Sequence, residues 1–154
     1  MKIVHLNTYA GNGGAGRACM RLNKALKAKG LDSELAVNFL FRANPEVLNL
    51  SKSFFSKFFA ALGIILERII AKLFTKNVPI PFSFPVWGKD ISGYQLVKSA
   101  DIIHLHWINH AFLRPQDLAK LSDLNKPIVW TFHDSNAFTG GCHVRYDCDH
   151  FMKE

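Results

Sequence analysis

At 154 residues, 49% of them hydrophobic, the chain is sized for one domain with a substantial core. Its net charge of +7 is uneven: residues 1–90 carry thirteen Lys/Arg against five Asp/Glu, and residues 91–154 carry six against seven. The excess points to an anionic partner on the front part, phosphate or a membrane surface, while the lack of a recognition motif or a basic stripe interleaved with aromatics argues against nucleic acid.

The chain opens with a short apolar run, Ile3-Val4-His5-Leu6, of the length and β-branching of a buried strand. A glycine loop follows, Gly11 to Gly16. Next comes a helix by period, with Ala18, Leu22, Ala25 and Leu26 on one face and Gly30 as its stop. Strand, glycine loop and helix begin a nucleotide-binding βαβ unit, and the free N–H groups and dipole at the helix start make an anion site. Gly11, Gly13 and Gly16 fit G-x-G-x-x-G, but a dinucleotide site also wants an acid at the end of the second strand. That strand, Glu34 to Leu40, has its acid at the start, which disfavours a dinucleotide-dependent dehydrogenase.

Arg42 to Leu50 is a connector with a turn at Asn44-Pro45. Ser51 to Lys76 is predicted as a long amphipathic helix with a very wide apolar face: Phe54, Phe55, Phe58, Phe59, Leu62, Ile65, Leu66, Ile69, Ile70, Leu73 and Phe74. Its polar stripe, which includes Ser56, Lys57, Ala60, Glu67 and Arg68, is narrow. The longest uncharged stretch, Phe58 to Leu66, is far short of the roughly twenty residues of a membrane span. Two environments fit: broad packing into this domain or a partner domain, or the membrane interface, with Phe54, Phe55, Lys57 and Phe58 as contact residues.

Asn77 to Trp87, with Pro79, Pro81 and Pro85, reads as an extended surface loop, and Asp90 to Ser99 as a short helix. A strand is expected over Ile102 to Trp107 and a helix over Pro115 to Leu121. Ile128 to Phe132 has the apolar run of a central parallel strand covered on both faces. Alternating strands and helices give a doubly wound, Rossmann-like α/β sheet, whose ligands bind beyond the carboxyl ends of the strands. Those ends carry the glycine loop, then His106-Trp107-Ile108-Asn109-His110, then His133-Asp134-Ser135-Asn136. Imidazole, amide and carboxylate groups there suit hydroxylated ligands, with Trp107 as an apolar face. His104, on the face opposite Leu105, reads as a core or supporting histidine.

Three stretches carry a resemblance: HLNTYAGNGGAGRACMRLNKAL, ADIIHLHWINHAFL and KPIVWTFHDSNAFTGGCHVRYDCDHF. They resemble the amino-terminal half of family-4 glycosyltransferases, most closely the bacterial enzymes of polysaccharide and capsule assembly. The long run Trp130 to His143 is the most specific part. Members usually carry an aromatic where this chain has Asn136, and often a proline where it has Ala137. The resemblance implies one half of a GT-B fold: residues 1–154 as the acceptor-side domain, with the carboxyl-terminal donor domain absent from this chain and the isolated chain inactive. It implies a retaining transfer from a nucleotide-sugar, without cofactor or metal, to a saccharide or lipid-linked acceptor. The setting is the cytoplasm, or peripherally the inner face of the membrane.

Residue by residue, Gly13 and Gly14 match the loop near the donor phosphates, with Arg17 as a charge partner. His133 matches the histidine near the reaction centre, and Asp134 is read as orienting His133 or its loop. His106, Trp107, Asn109 and Thr139 are the acceptor-binding candidates. Three cysteines outside a secretory pattern fit reduced thiols. Cys142, His143, Cys148 and His150 offer four ligand types, but Cys-x5-Cys is not a standard zinc spacing, so no metal is expected. The alternative from another class is a non-catalytic membrane-interface or partner-binding module.

Overall fold

The computed structural model describes residues 1–74, 82–145 and 149–153. The first strand, β1 (Lys2–Tyr9), is buried without a break from Ile3 to Thr8, as a central strand covered on both faces must be. The glycine loop leads into α1 (Gly13–Ala28), and Gly30, at φ +80°, turns the chain out of the helix in the left-handed region. Three elements follow: β2 (Asp32–Phe39), β3 (Val47–Asn49) and α2 (Phe54–Phe74). The second part contributes α3 (Gln95–Lys98), β4 (Ile102–Leu105), α4 (Pro115–Ser122), β5 (Ile128–Trp130), α5 (Asn136–Thr139) and a 3-10 turn (His150–Met152).

The five strands form one all-parallel sheet in the order β3-β2-β1-β4-β5. The chain builds outward from β1 to β3, then crosses back to lay β4 and β5 on the other side. That reversal opens a crevice beyond the carboxyl ends of β1 and β4, where doubly wound sheets bind their ligands. Val4, Leu6, Ile103 and Leu105 point to one face, where Ile91, Val97, Phe112 and Leu121 cover them. The other face carries Leu35 and Val37 under Cys19 of α1.

Several expectations are corrected. The helix α1 does not bury Ala18 and Ala25: both are exposed, and Gly16, Cys19 and Asn23 face the sheet. Small residues win because the helix start lies so close to β1 that a Cβ on Gly16 would sit 3.0 Å from the Tyr9 carbonyl oxygen. The connector before α2 contains β3, and the helix expected over 90–99 shrinks to α3 after a turn. Strand β5 is the sheet's edge, with Ile128 36% and Val129 46% exposed, because β4 is its one hydrogen-bonded neighbour among the described residues.

The largest correction concerns α2. Its inward side is Ala60, Gly63 and Glu67, drawn mostly from the small and polar stripe. Gly63 lies so close to Trp87 that a Cβ there would meet its Cδ1 at 2.5 Å, and Glu67 Oε2 accepts the Ala111 N–H at 3.0 Å. Phe54, Phe55, Phe58, Phe59, Ile65, Ile69 and Leu73 consequently face outward. No described helix is long and apolar enough to cross a membrane. Residues 75–81, the last two of the expected helix and the first five of the proline-rich loop, lie outside the described residues. The remainder is irregular, with one antiparallel bridge between Phe82 and Cys142.

Candidate functional site

The carboxyl ends of β1 and β4 are fastened by side chains from β1. Asn7 Oδ1 accepts the Trp107 N–H at 2.8 Å while its Nδ2 donates to the Tyr9 carbonyl at 2.6 Å. Thr8 Oγ1 shares its one proton between the carbonyls of Trp107 and Asn109, at 2.9 and 2.7 Å. Beyond Tyr9 the chain turns back through Gly11 (φ +74°) and Gly13 (φ +68°), conformations that glycine adopts without a Cβ penalty. The helix α1 then starts with no side-chain cap and no acidic residue in its first turn. Its first N–H groups and the positive end of its dipole therefore remain available to an anion.

These elements enclose a cavity of about 330 Å³ lined by Asn7, Tyr9, Asn12, the turn Gly13-Gly14-Ala15-Gly16, Trp107, His133 and Asp134. Five expected site residues meet here: Gly13, Gly14, Trp107, His133 and Asp134. The others sit elsewhere. Arg17 is exposed at the start of the second turn of α1, and its Nε donates to the Gly13 carbonyl at 3.2 Å. His106 is buried beneath His133, with both ring nitrogens engaged. Asn109 lines a second, largely apolar cavity of about 470 Å³ with Ile108, Leu113, Leu118 and Trp130. Thr139 Oγ1 donates to the Cys142 carbonyl at 2.6 Å and so closes its own loop.

Asp134 holds its neighbours in place, but His133 is not among its hydrogen-bond partners. Its Oδ2 accepts Trp107 Nε1 at 2.6 Å and His143 Nδ1 at 2.5 Å, and its Oδ1 accepts the Asn136 N–H at 3.0 Å. Burial would raise this carboxyl, but those hydrogen bonds outweigh it and hold the group below its ordinary value. A carboxylate engaged by three donors orients the indole and the loop; it is poorly placed as a nucleophile. His143 Nε2 lies 2.7 Å from Ser83 Oγ, completing a Ser83–His143–Asp134 sequence with the order of a hydrolytic relay. Ser83 is only 1% exposed and its own N–H donates to the Gly141 carbonyl, so the set ties the 82–83 strand to the 141–143 loop.

Tyr9 extends the apolar wall. Its ring stacks on Trp107 and Phe41 at centroid distances of 5.9 and 5.6 Å, and its hydroxyl is 2.9 Å from His110 Nδ1. His110 and Ala111 both adopt left-handed backbone (φ 56° and 57°), a strain of about 1–3 kcal/mol for each non-glycine residue. Tyr9 anchors the first and Glu67 the second. Asn7, Tyr9 and Asn12 were not singled out in the sequence; the available signal was their position at the end of the first strand, ahead of a glycine loop.

His104 is a supporting residue as expected, with Nε2 2.8 Å from Thr131 Oγ1. Burial pushes His106 down to about 3 and His5 down to about 4, and it lowers His133 as well. Among the described residues, His5, Cys19 and His106 bring potential metal-ligating atoms within 4.8 Å of one another. Both ring nitrogens of each histidine already have hydrogen-bond partners, and burial raises the Cys19 thiol to about 12, so these groups are satisfied without an ion. Of the other candidate metal set, Cys148 lies outside the described residues, and His143 is engaged by Asp134 and Ser83. The site as a whole offers backbone N–H groups for an anion, a flat aromatic wall and a neutral imidazole. Compared with family models, curated protein sequences and solved structures, the chain gives no significant match.

Proposed function

We propose that this chain is the acceptor-side half of a nucleotide-sugar glycosyltransferase acting in surface polysaccharide assembly. The observation that carries this reading is the cavity at the switch point, where Gly13, Gly14, Trp107, His133 and Asp134 converge from three separate stretches of sequence. In it, the N–H groups at the start of α1 receive the donor phosphates, Trp107 and Tyr9 flank a sugar ring, and His133 meets a sugar hydroxyl. Leaving-group stabilisation by oriented N–H groups and fixed positioning carry the chemistry, with no covalent role for Asp134. One sheet supplies one wall, and a second domain supplies the wall that faces it. The strand β2 supports a sugar-nucleotide over a dinucleotide cofactor: Glu34 pairs with Lys2 Nζ at 3.2 Å at the amino end of the sheet, away from the cavity.

The test is an amide NMR titration of the chain with uridine diphosphate and, separately, NAD. The expected result is millimolar binding of the diphosphate, with perturbations confined to Gly13–Gly16, Trp107 and His133. Tight saturation by NAD, or perturbations away from this cavity, would overturn the reading. Sugar transfer catalysed by the purified chain would overturn the assignment as one half of a cleft.

A second reading rests on α2. Phe54 and Phe55, 78% and 71% exposed, stand beside Lys52 and Lys57 on a basic front half. This is the pattern of an interfacial helix that places aromatics in the acyl boundary and lysines near anionic headgroups. Co-sedimentation with anionic vesicles is expected, and it should be lost when Phe54, Phe55, Phe58 and Phe59 become Ser. Equal binding by both forms, or none by the wild type, refutes it.

A further inference from the structure

A row of hydrogen bonds runs through the α1 side of the sheet and ends at His133. Ser33 Oγ donates to Asn23 Oδ1 at 2.8 Å, and His5 Nε2 lies 3.1 Å from Ser33 Oγ. His5 Nδ1 is 3.1 Å from His106 Nε2, and His106 Nδ1 is 3.0 Å from His133 Nε2. Asn23, Ser33, His5 and His106 are all buried. The row joins α1, β2, β1, β4 and the segment after β5, so one polar thread passes from the helix to the cavity wall.

Each link dictates the next, because a neutral imidazole has one N–H and one lone pair. A hydroxyl that gives its only proton to Asn23 can only accept from His5, so His5 carries its proton on Nε2 and a lone pair on Nδ1. His106 must then donate from Nε2, which leaves its Nδ1 to accept. His133 donates from Nε2 in turn, and its Nδ1 is left with a lone pair. Among the described residues, that nitrogen has no hydrogen-bond partner, and the ring lines the 330 Å³ cavity.

The surroundings keep the rings neutral. Burial is the first cause of the lowered values of His5, His106 and His133, and neighbouring histidines add to it for His5 and His106. His104, stacked on His106 with centroids 4.2 Å apart, is occupied by Thr131, and the Cys19 thiol stays protonated. The nearby carboxylate, Asp134, spends its hydrogen bonds on Trp107, His143 and Asn136; its charge raises His133, and burial outweighs it.

We propose that Asn23, Ser33, His5 and His106 are positioning residues that hold His133 as its Nε2–H tautomer, presenting Nδ1 to the cavity as an acceptor for a ligand hydroxyl. The choice of a hydroxyl as ligand rests on the sugar-transfer reading of the cavity; the tautomer does not. The row selects for a ligand that donates a hydrogen bond at this point and against one that only accepts.

The experiment is 15N NMR of the histidine-labelled chain near neutral pH, which reports the nitrogen that bears the proton in each ring. The expected result is Nε2–H for His5, His106 and His133 alike. An Nδ1–H form of His106 or His133 overturns the proposal, as do 15N shifts that show zinc bound to His5 and His106, since an ion among His5, Cys19 and His106 would replace the shared proton. In Ser33→Ala, which removes the acceptor for His5, His133 is expected to show mixed tautomers. In Ser33→Thr, which keeps a hydroxyl to accept from His5 and donate to Asn23, the wild-type pattern is expected to persist. An unchanged His133 spectrum in a folded Ser33→Ala chain also overturns it. Because these readouts use no ligand, failure of the diphosphate titration leaves them intact, and the two ideas fail separately.

Discussion

Replacing Gly16 with alanine sets a methyl group 3.0 Å from the Tyr9 carbonyl oxygen and 3.3 Å from the Gly11 nitrogen. Both are backbone atoms with little room to give: Tyr9 is paired with Phe39 in the sheet, and Gly11 is held in a left-handed turn. Overpacking of this kind costs about 1–3 kcal/mol, against which alanine recovers up to about 1 kcal/mol of helix propensity. A net loss of about 1–2 kcal/mol is expected. Two residues earlier the same change has the opposite sign. A Cβ on Gly14 meets nothing within 4 Å and the residue is not in the left-handed region, so Gly14→Ala should be neutral or stabilising by up to about 1 kcal/mol. The pair should therefore differ by about 2 kcal/mol, or about 4–8 °C in Tm for a chain of this size. Thermal and urea unfolding measure that gap. Gly14 also lines the cavity, so its alanine variant should lose diphosphate binding while keeping its fold. A Gly16→Ala chain as stable as wild type would refute the close-approach argument, and a Gly14→Ala chain that binds normally would refute the role of that backbone.

Burial holds His5, His106 and His110 at about 4, 3 and 4 against an ordinary 6.5, so as pH falls below 6.5 the unfolded chain takes up protons before the folded one. The urea midpoint should drop between pH 7 and 5; a midpoint that holds steady contradicts the burial of these rings. Glu67 works in the other direction, since burial raises it from 4.5 to about 7. Between those values the folded state keeps the proton that the unfolded state has lost, so Glu67 costs stability as pH rises. Glu67→Gln, which can still accept the Ala111 N–H, should gain on wild type from pH 5 to about 7 and level off above it, and a constant difference across that window would contradict this. Gly63→Ala drives a methyl group to 2.5 Å from Trp87 Cδ1 and 2.8 Å from Ala111 Cβ, and should cost about 1–3 kcal/mol by urea unfolding.

Local rules carried the front of the molecule. An apolar run, glycines where φ is positive, a 3.6-residue period and Gly30 as a stop all act within a few residues, so β1, the loop and α1 were legible before any packing was known. The same rules placed His133, Trp107 and the glycine loop at strand ends, and sheet topology then gathered them into one cavity. They left open which side of α2 faces inward. Its apolar width fitted packing or an interface alike, and close approach at Gly63 and the Glu67 bond to Ala111 turned the small, polar side toward the domain. They also could not tell an edge strand from a central one, because Ile128-Val129-Trp130 is equally apolar in either place. The polar thread from Asn23 to His133 was beyond their reach. Its links join residues 10, 28, 101 and 27 apart in the chain, and a hydrogen bond between such partners exists only once the sheet has set its register.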